Sequence, residues 1–295
     1  MLDFKKLTLN DLERTRKYFQ FSTNRTCDNT IGGTFMWRDY FGVEFAEFDN
    51  TLVFKVDLKY HNGATAFTFP LGEDINGSVK KIEKYCTDTK TPLVFCTVVD
   101  EELRILKTMY NNVQVYQETN WSDYLYKAND LITLAGRKYS GQRNHINNFM
   151  KMYIDYSFEE ISEDNLNEVK EFYKDYCSTV IKRTDIFFEE QNKTIEVLDN
   201  YDIYNLFGGL IRVNGAIAAF SIGEICRDVL FIHIEKANLR YKGIYQMINK
   251  EFAGYYASDD IEYINREEDV GDEGLRTSKK SYHPHKIIDK YIIEV

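Results

Sequence analysis

Three stretches of the second half of the chain carry side chains that could do chemistry. In the first, Ala216 to Ile225 and Val229 to Ala237 are apolar runs flanking Arg227-Asp228 and predict a hairpin. With Arg227 and Asp228 as the turn, Glu224 falls opposite Phe231, Ile222 opposite His233 and Phe220 opposite Glu235. Opposed residues share a face, so Glu224, His233 and Glu235 are expected to line one side of the hairpin. A slip of one residue would break the grouping. The plainer alternative is two solvated glutamates and a satisfied core histidine. The second stretch, Asn238 to Tyr245, leads from that strand into a helix expected over Gln246 to Tyr256. A glycine-bearing turn at a helix N-terminus offers backbone N–H groups and the positive end of the dipole to an anion. Arg240 and Lys242 flank Gly243 there. The third feature is a pair of basic blocks free of acid, Arg137 to Lys151 and Arg276 to Lys286, in a chain of net charge −10. They converge on one phosphate-bearing ligand or form two solvated faces.

Asn238 to Tyr245 resembles a degenerate pyrophosphate loop of the GCN5-related N-acetyltransferase superfamily, with Arg240 and Gly243 in place. Tyr245 stands where that pattern has a small residue, and its ring would crowd a coenzyme A diphosphate. The run Ile264 to Pro284, with Asn265, Arg266, Asp269, Gly271, Gly274, Arg276, Lys279 and Tyr282, resembles a signature of the phosphatidylglycerol lysyltransferase C-terminal domain family. His233 to Ala237 followed by Gly243 to Gln246 fits the same family. So do Gly136 to Asn147, with Lys138, Arg143 and His145, and Phe35 to Arg38 in the first half. The resemblance implies a tandem acetyltransferase-like fold that takes an aminoacyl group from aminoacyl-tRNA. By motif position it makes Lys279 the lysine that contacts the donor. The chemistry of acyl transfer makes Glu235 the candidate base, with Arg240, Lys242 and the Gly243 amide on phosphate or acyl-carrier oxygens and Lys138, Arg143, His145 and Arg276 also toward the donor. Glu224, His233, Asn265, Arg266, Asp269 and Tyr282 would line the site. No counterpart of the family's membrane-embedded N-terminal part is seen.

These segments need a frame, and the frame is repeated. Phe4 to Phe19 aligns without gaps on Phe158 to Tyr173 at a constant offset of 154. Each copy predicts a short strand, a Thr8 or Ser162 N-cap, and an amphipathic helix. The buried face would carry Leu12, Thr15 and Phe19 in one and Leu166, Val169 and Tyr173 in the other. Hairpins follow in both halves, turning at Asp49-Asn50 and Asn62-Gly63 and then at Asn214-Gly215. The expected fold is α/β, more strictly α+β: two tandem acetyltransferase-like domains with mixed, mainly antiparallel sheets flanked by helices. The expected division is 1–130 and 131–295, with the site in the second domain.

Composition sets limits. The chain has 295 residues, 43% hydrophobic and 28% charged, which are globular proportions. No run approaches the ~20 apolar residues a spanning helix requires, and the N-terminus lacks an apolar signal region. Five scattered cysteines without a CxxC predict reduced thiols in a cytoplasm and no cysteine metal site. His283 and His285 lack a third ligand nearby, so no metal is expected. The favoured reading is aminoacyl transfer from the acceptor end of aminoacyl-tRNA to an amine or hydroxyl of a small molecule, peptide or lipid head group. No tightly bound cofactor is expected. The rivals are an acyl-CoA-dependent N-acetyltransferase and a binding module without catalysis.

Overall fold

The computed structural model describes residues 2–59, 61, 63–181 and 183–295. The chain forms two compact units, residues 1–123 with 288–295 and residues 124–287. Sequence reasoning divides the chain once, near residue 130; the chain instead returns its last eight residues to the first unit.

The first unit runs β1 (Lys5–Lys6), α1 (Leu12–Arg16), α2 (Ile31–Met36), β2 (Glu44–Phe48), β3 (Thr51–Leu58), β4 (Ala64–Thr68), α3 (Ile75–Thr89), β5 (Val94–Val98), α4 (Asp100–Met109) and β6 (Gln114–Gln117). The second runs β7 (Asp123–Lys127), α5 (Ala128–Thr133), α6 (Ser140–Met152), β8 (Tyr156–Glu160), α7 (Glu163–Thr179), α8 (Asp185–Asp199), α9 (Tyr201–Tyr204), β9 (Phe207–Val213), β10 (Ala216–Cys226), β11 (Val229–Ala237), α10 (Ile244–Tyr256), β12 (Tyr263–Asn265), α11 (Glu273–Lys280) and β13 (Lys286–Ile288). The final strand, β14 (Tyr291–Glu294), belongs to the first sheet.

The sheets have one plan. The first is ordered β1-β2-β3-β4-β5-β14-β6 and the second β8-β9-β10-β11-β12-β7-β13. Each begins with an antiparallel meander, has one parallel pair (β4 with β5, β11 with β12), and then takes a strand from outside its own repeat. The aligned segments adopt the same local structure. The Thr8 amide donates to Asp11 Oδ2 and the Ser162 amide to Asn165 Oδ1, each at 2.9 Å. Both are capping boxes that open a helix after a short edge strand. The helices differ in length, since α1 stops at Arg16 and α7 continues to Thr179. Leu12, Thr15, Phe19, Val169 and Tyr173 are buried, as the spacing predicts, whereas Leu166 is half-buried.

The hairpin signals are equally local. Asp49 and Asn50 have φ of 43° and 55°, and Asn214 and Gly215 have 50° and 78°. Both positions positive is the requirement of the tight turn that matches strand twist. Asn62, of the other expected turn, lies outside the described residues. Gly32 and Gly33 are helical in α2. A Cβ on Gly33 would come within 2.0 Å of the Cys27 carbonyl oxygen, so the close approach excludes any larger residue.

Within the first unit, β14 is fixed electrostatically as well as by pairing. Lys290 is 1% exposed, and its ammonium lies 2.5 Å from Asp28 and 2.7 Å from Asp123. Removing one partner of a buried ion pair leaves uncompensated charge and costs about 3–5 kcal/mol. Lys290→Ala is therefore expected to lower the unfolding free energy by about that amount in denaturant titrations. Lys286→Ala, at an exposed position, should stay within about 0.5 kcal/mol of the parent. Equal effects would show that the Lys290 charge does not hold the strand.

Candidate functional site

The turn after β11 is built by close packing. Gly243 is the N-cap of α10 at φ 85°, and a Cβ there would come within 2.5 Å of the His145 carbonyl oxygen. Only glycine tolerates both constraints. The start of α10 is thereby seated on α6. Tyr153, just after α6, donates its hydroxyl to the Arg240 carbonyl and accepts from the Lys242 amide at 3.3 Å. The first turn of α10 has no side-chain cap. Arg240 and Lys242 are exposed and form no ion pair among the described residues. Backbone N–H groups, helix dipole and two unengaged cations therefore meet at one corner.

Helix α6 also reaches the C-terminal signature. Gln142 Nε2 donates to the Ser281 carbonyl at 2.8 Å, and His283 Nε2 lies 3.2 Å from the Lys138 carbonyl. Residues 136–147, 240–243 and 276–283 are thus neighbours despite their separation in sequence. Several of their charges are held by neighbouring groups. Arg143 donates to the carbonyls of Leu134 and Gly136, and Lys138 pairs with Asp130 at 3.2 Å. Arg276 grips Asp269 through Nε and Nη2, both at 2.8 Å. His145 contributes its backbone to the Gly243 contact. Within the two basic blocks Lys138, Arg143, Arg276 and Lys279 are engaged by the fold, whereas Arg137, Lys151, Lys280 and Lys286 are exposed, as are Arg240 and Lys242 at the α10 turn.

Lys279 is also engaged. It is 6% exposed and donates to the carbonyls of Arg266 and Glu268, while Tyr126 bonds its own carbonyl at 2.8 Å. The ammonium that sequence reasoning directs at a donor instead closes the turn after β12. In that turn Glu267 and Val270 have φ of 56° and 45°, and the Glu267 amide donates to Asn265 Oδ1 at 2.6 Å. Asp269 accepts from Arg276, from the Tyr124 hydroxyl at 2.7 Å and from the Gly271 amide at 2.9 Å. Burial alone would raise its pKa, but these donors, Arg276 foremost, hold it down at about 2.

The hairpin departs from its expected register. Glu224 does pair with Phe231, but Ile222 pairs with Ile234 and Gly223 with Ile232, leaving His233 as the extra residue of a bulge. The bulge changes the phase of alternation along β11. Leu230 and Ile232 join the same core cluster as Ala237, which an unbroken two-residue period forbids. His233 stays with Phe231 and Glu224, whereas Glu235 turns toward α10. The predicted trio is therefore split.

His233 is held by two carboxylates, Glu224 at Nε2 (2.8 Å) and Glu267 at Nδ1 (2.6 Å). Burial would lower its pKa; the two carboxylates outweigh that and lift it to about 10. Burial in turn raises Glu267, against the pull of the imidazolium. An imidazolium with both N–H groups donated cannot act as a base, so His233 is a charged clasp between strand and turn. Glu235 meets Arg266 Nη2 at 2.9 Å and the side-chain amide of Asn249 on α10 at 3.4 Å. The Arg266 guanidinium lies 4.9 Å over the Tyr282 ring. Glu267 and Asn249 were not singled out from sequence. Glu267 becomes a ligand of His233 only through its left-handed backbone, which sequence does not announce. Asn249 carried a weak signal, a lone amide on the apolar face of α10.

With this geometry in hand, the comparisons decide the family. The family model described as phosphatidylglycerol lysyltransferase, C-terminal, matches residues 19–294. The chain belongs to that family. A crystal structure of a conserved protein of unknown function from Bacteroides thetaiotaomicron is 32% identical, covers 100% of both chains and superposes with a TM-score of 0.91. The structure of L-PGS from Bacillus licheniformis is 15% identical over 96% of this chain and 91% of that one, with a TM-score of 0.69, and shares the fold. An uncharacterised protein of Mycoplasmoides gallisepticum is 26% identical over 199 residues, 66% of this chain but only 62% of that relative. The fold is mixed α/β, with two mostly antiparallel sheets flanked by helices, and the family takes its name from a lysyltransferase. Among the described residues no helix is long and apolar enough to cross a membrane.

Two outcomes test the inward-turned network. Asp269→Asn should cost about 3 kcal/mol, because it removes the charge that pairs with Arg276 and replaces one of the two acceptor oxygens by an NH₂ group. For His233 the folded pKa lies above the unfolded one. Its contribution should be complete below pH ~6.5 and lost as pH rises through about 10. The stability gap between the parent and His233→Gln, measured by denaturation from pH 6 to 10, should narrow over that range. A gap that widens would contradict the clasp.

Proposed function

We propose that this protein transfers an aminoacyl group from aminoacyl-tRNA to an amine or hydroxyl acceptor. The observation that carries the reading is the corner at the start of α10, where uncapped amides, Arg240 and Lys242 form an anion-binding turn beside Glu235. A terminal phosphate of the donor fits the turn, and its ester is then presented to the end of β11. Family membership supports the same donor class. Tyr245 argues against coenzyme A. It occupies the first turn of α10 and packs against the core cluster. Burial raises its hydroxyl pKa, so it stays a neutral ring filling the space a diphosphate loop leaves open.

In this reading the acceptor N–H or O–H attacks the ester carbonyl. The new bond to carbon forms, the bond to the ribose oxygen breaks, and the acceptor proton passes to Glu235 and on to the departing ribose hydroxyl. Arg266 lies beside Glu235 and stabilises negative charge on the carbonyl oxygen. Lys279 acts as a positioning residue, since its contacts set where Arg266 stands. The acceptor is a small molecule, a peptide or a lipid head group.

Melting temperature separates the donors. Aminoacyl-tRNA should raise it more than deacylated tRNA does, and coenzyme A should leave it unchanged. A charge-assisted contact contributes about 1.5–3 kcal/mol, so Arg240→Ala and Lys242→Ala should each weaken donor binding roughly tenfold to a hundredfold without altering the unliganded melting temperature. Stabilisation by coenzyme A alone would point to an N-acetyltransferase. No effect of any of the three would point to a binding module.

A further inference from the structure

One end of the second sheet carries side chains that the proposed chemistry does not use. Tyr156 at the start of β8 pairs with Val213, Val213 with Ala216, and Ala219 with Ala237 at the end of β11. Residues 151–155, the turn at 214–215 and residues 238–242 therefore leave the sheet at the same end. They are also tied to the sheet and to one another. The Asn214 amide donates to the Asp155 carbonyl at 2.9 Å and the Asn238 amide to the Ala218 carbonyl at 2.8 Å, and the Tyr153 and Tyr241 rings meet at 5.3 Å.

The side chains on this rim combine aliphatic surface with positive charge. Ile154 is 89% exposed, Leu239 78% and Met152 54%. Large apolar side chains left in water together mark an interaction surface. Lys151, Arg240 and Lys242 stand exposed among them, and none forms an ion pair among the described residues. Asp155 is the only acid in the three segments, although acids outnumber bases in the whole chain by 47 to 37. Three kinds of partner are candidates to cover the rim. A second copy meeting it across a two-fold axis sets the three cations against themselves. Nucleic acid satisfies the cations, but bases stack on rings and guanidinium planes, and Ile154, Leu239 and Met152 offer neither. A bilayer accepts both features, because aliphatic tips enter the boundary of head groups and acyl chains while ammonium and guanidinium groups stay at the phosphates.

We infer that this end of the second sheet is a docking surface for an anionic phospholipid membrane, with Ile154 and Leu239 inserting and Lys151, Arg240 and Lys242 contacting the phosphates. With so few inserting side chains the attachment is peripheral and reversible. It is also oriented. The net charge of −10 repels an anionic surface, so the chain approaches by its basic rim. Arg240 and Lys242 flank the anion-binding turn as well, but the docking surface does not rest on the aminoacyl-transfer reading.

Vesicle co-sedimentation tests it on the full chain. The protein should partition onto vesicles of phosphatidylcholine mixed with phosphatidylserine roughly tenfold more strongly than onto phosphatidylcholine alone, and added salt should weaken the partitioning. Replacing Ile154→Ser and Leu239→Ser together removes the aliphatic tips without adding charge. That double variant should lose roughly tenfold in partitioning onto the mixed vesicles. Its melting temperature should not change, because both side chains are exposed. Lys151→Ala gives a second readout and should weaken partitioning about threefold to fivefold. Failure to partition onto the mixed vesicles overturns the docking surface. Partitioning that the double variant leaves unchanged also overturns it, since charge elsewhere on the chain would then be responsible. Absence of vesicle binding together with self-association or RNA binding that the double variant abolishes would assign the rim to a second copy or to RNA instead. Vesicle binding without aminoacyl transfer would leave the docking surface standing and remove the transferase reading. Aminoacyl transfer without vesicle binding would do the reverse.

Discussion

The ammonium of Lys279, buried against the carbonyls of Arg266 and Glu268, holds the turn on which the second unit's polar interior depends. The turn places left-handed backbone at Glu267 and Val270, conformations that disfavour residues with side chains. Asn265 and the Asp269–Arg276 pair brace it from both ends. Because of that backbone, adjacent side chains leave in different directions. Arg266 reaches Glu235 and Glu267 reaches His233. On the facing strand the bulge at His233 makes the matching change, sending His233 and Glu235 to different sides of the sheet. Two irregularities, one in a turn and one in a strand, are thus complementary. A regular strand or a regular turn would leave a carboxylate or a cation buried alone.

This organisation explains why so many of the charged residues in the signature are unavailable to a ligand. Arg143, Lys138, Arg276 and Lys279 bind carbonyls or carboxylates within the second unit. The uncapped start of α10 with the exposed Arg240 and Lys242 stays open, as do Arg137, Lys151, Lys280 and Lys286, and the Glu235–Arg266–Asn249 group joins β11, α10 and the turn after β12. A rigid polar framework that carries a few unsatisfied groups is the arrangement electrostatic catalysis requires, because preorganised groups need not reorient during reaction.

Much of the fold was legible because its signals are local. Thr8 with Asp11 and Ser162 with Asn165 announce helix starts within four residues, and Asp49-Asn50 and Asn214-Gly215 announce turns within two. The repeat follows from them. What was not legible depends on partners distant in the chain. The bulge at His233 shifts a register that the turn alone would fix, so Glu235 was placed on the wrong side. Lys279 looks like a free cation in an acid-free run, since nothing in sequence shows two carbonyls turning toward it. The return of residues 288–295 to the first sheet requires Asp28 and Asp123 to receive Lys290, a pairing across most of the chain.

If the group beside the start of α10 moves an aminoacyl unit, the fate of the amino acid itself shows it. A mixed pool of tRNA charged with labelled amino acids would be incubated with the protein and a set of amine and hydroxyl acceptors, and the label followed from tRNA into product under single-turnover conditions. Transfer of label should be seen and should slow at least a hundredfold in Glu235→Gln, in line with loss of a general base. Transfer at an unchanged rate in that variant, or no loss of label from any tRNA beyond the uncatalysed background, would contradict it.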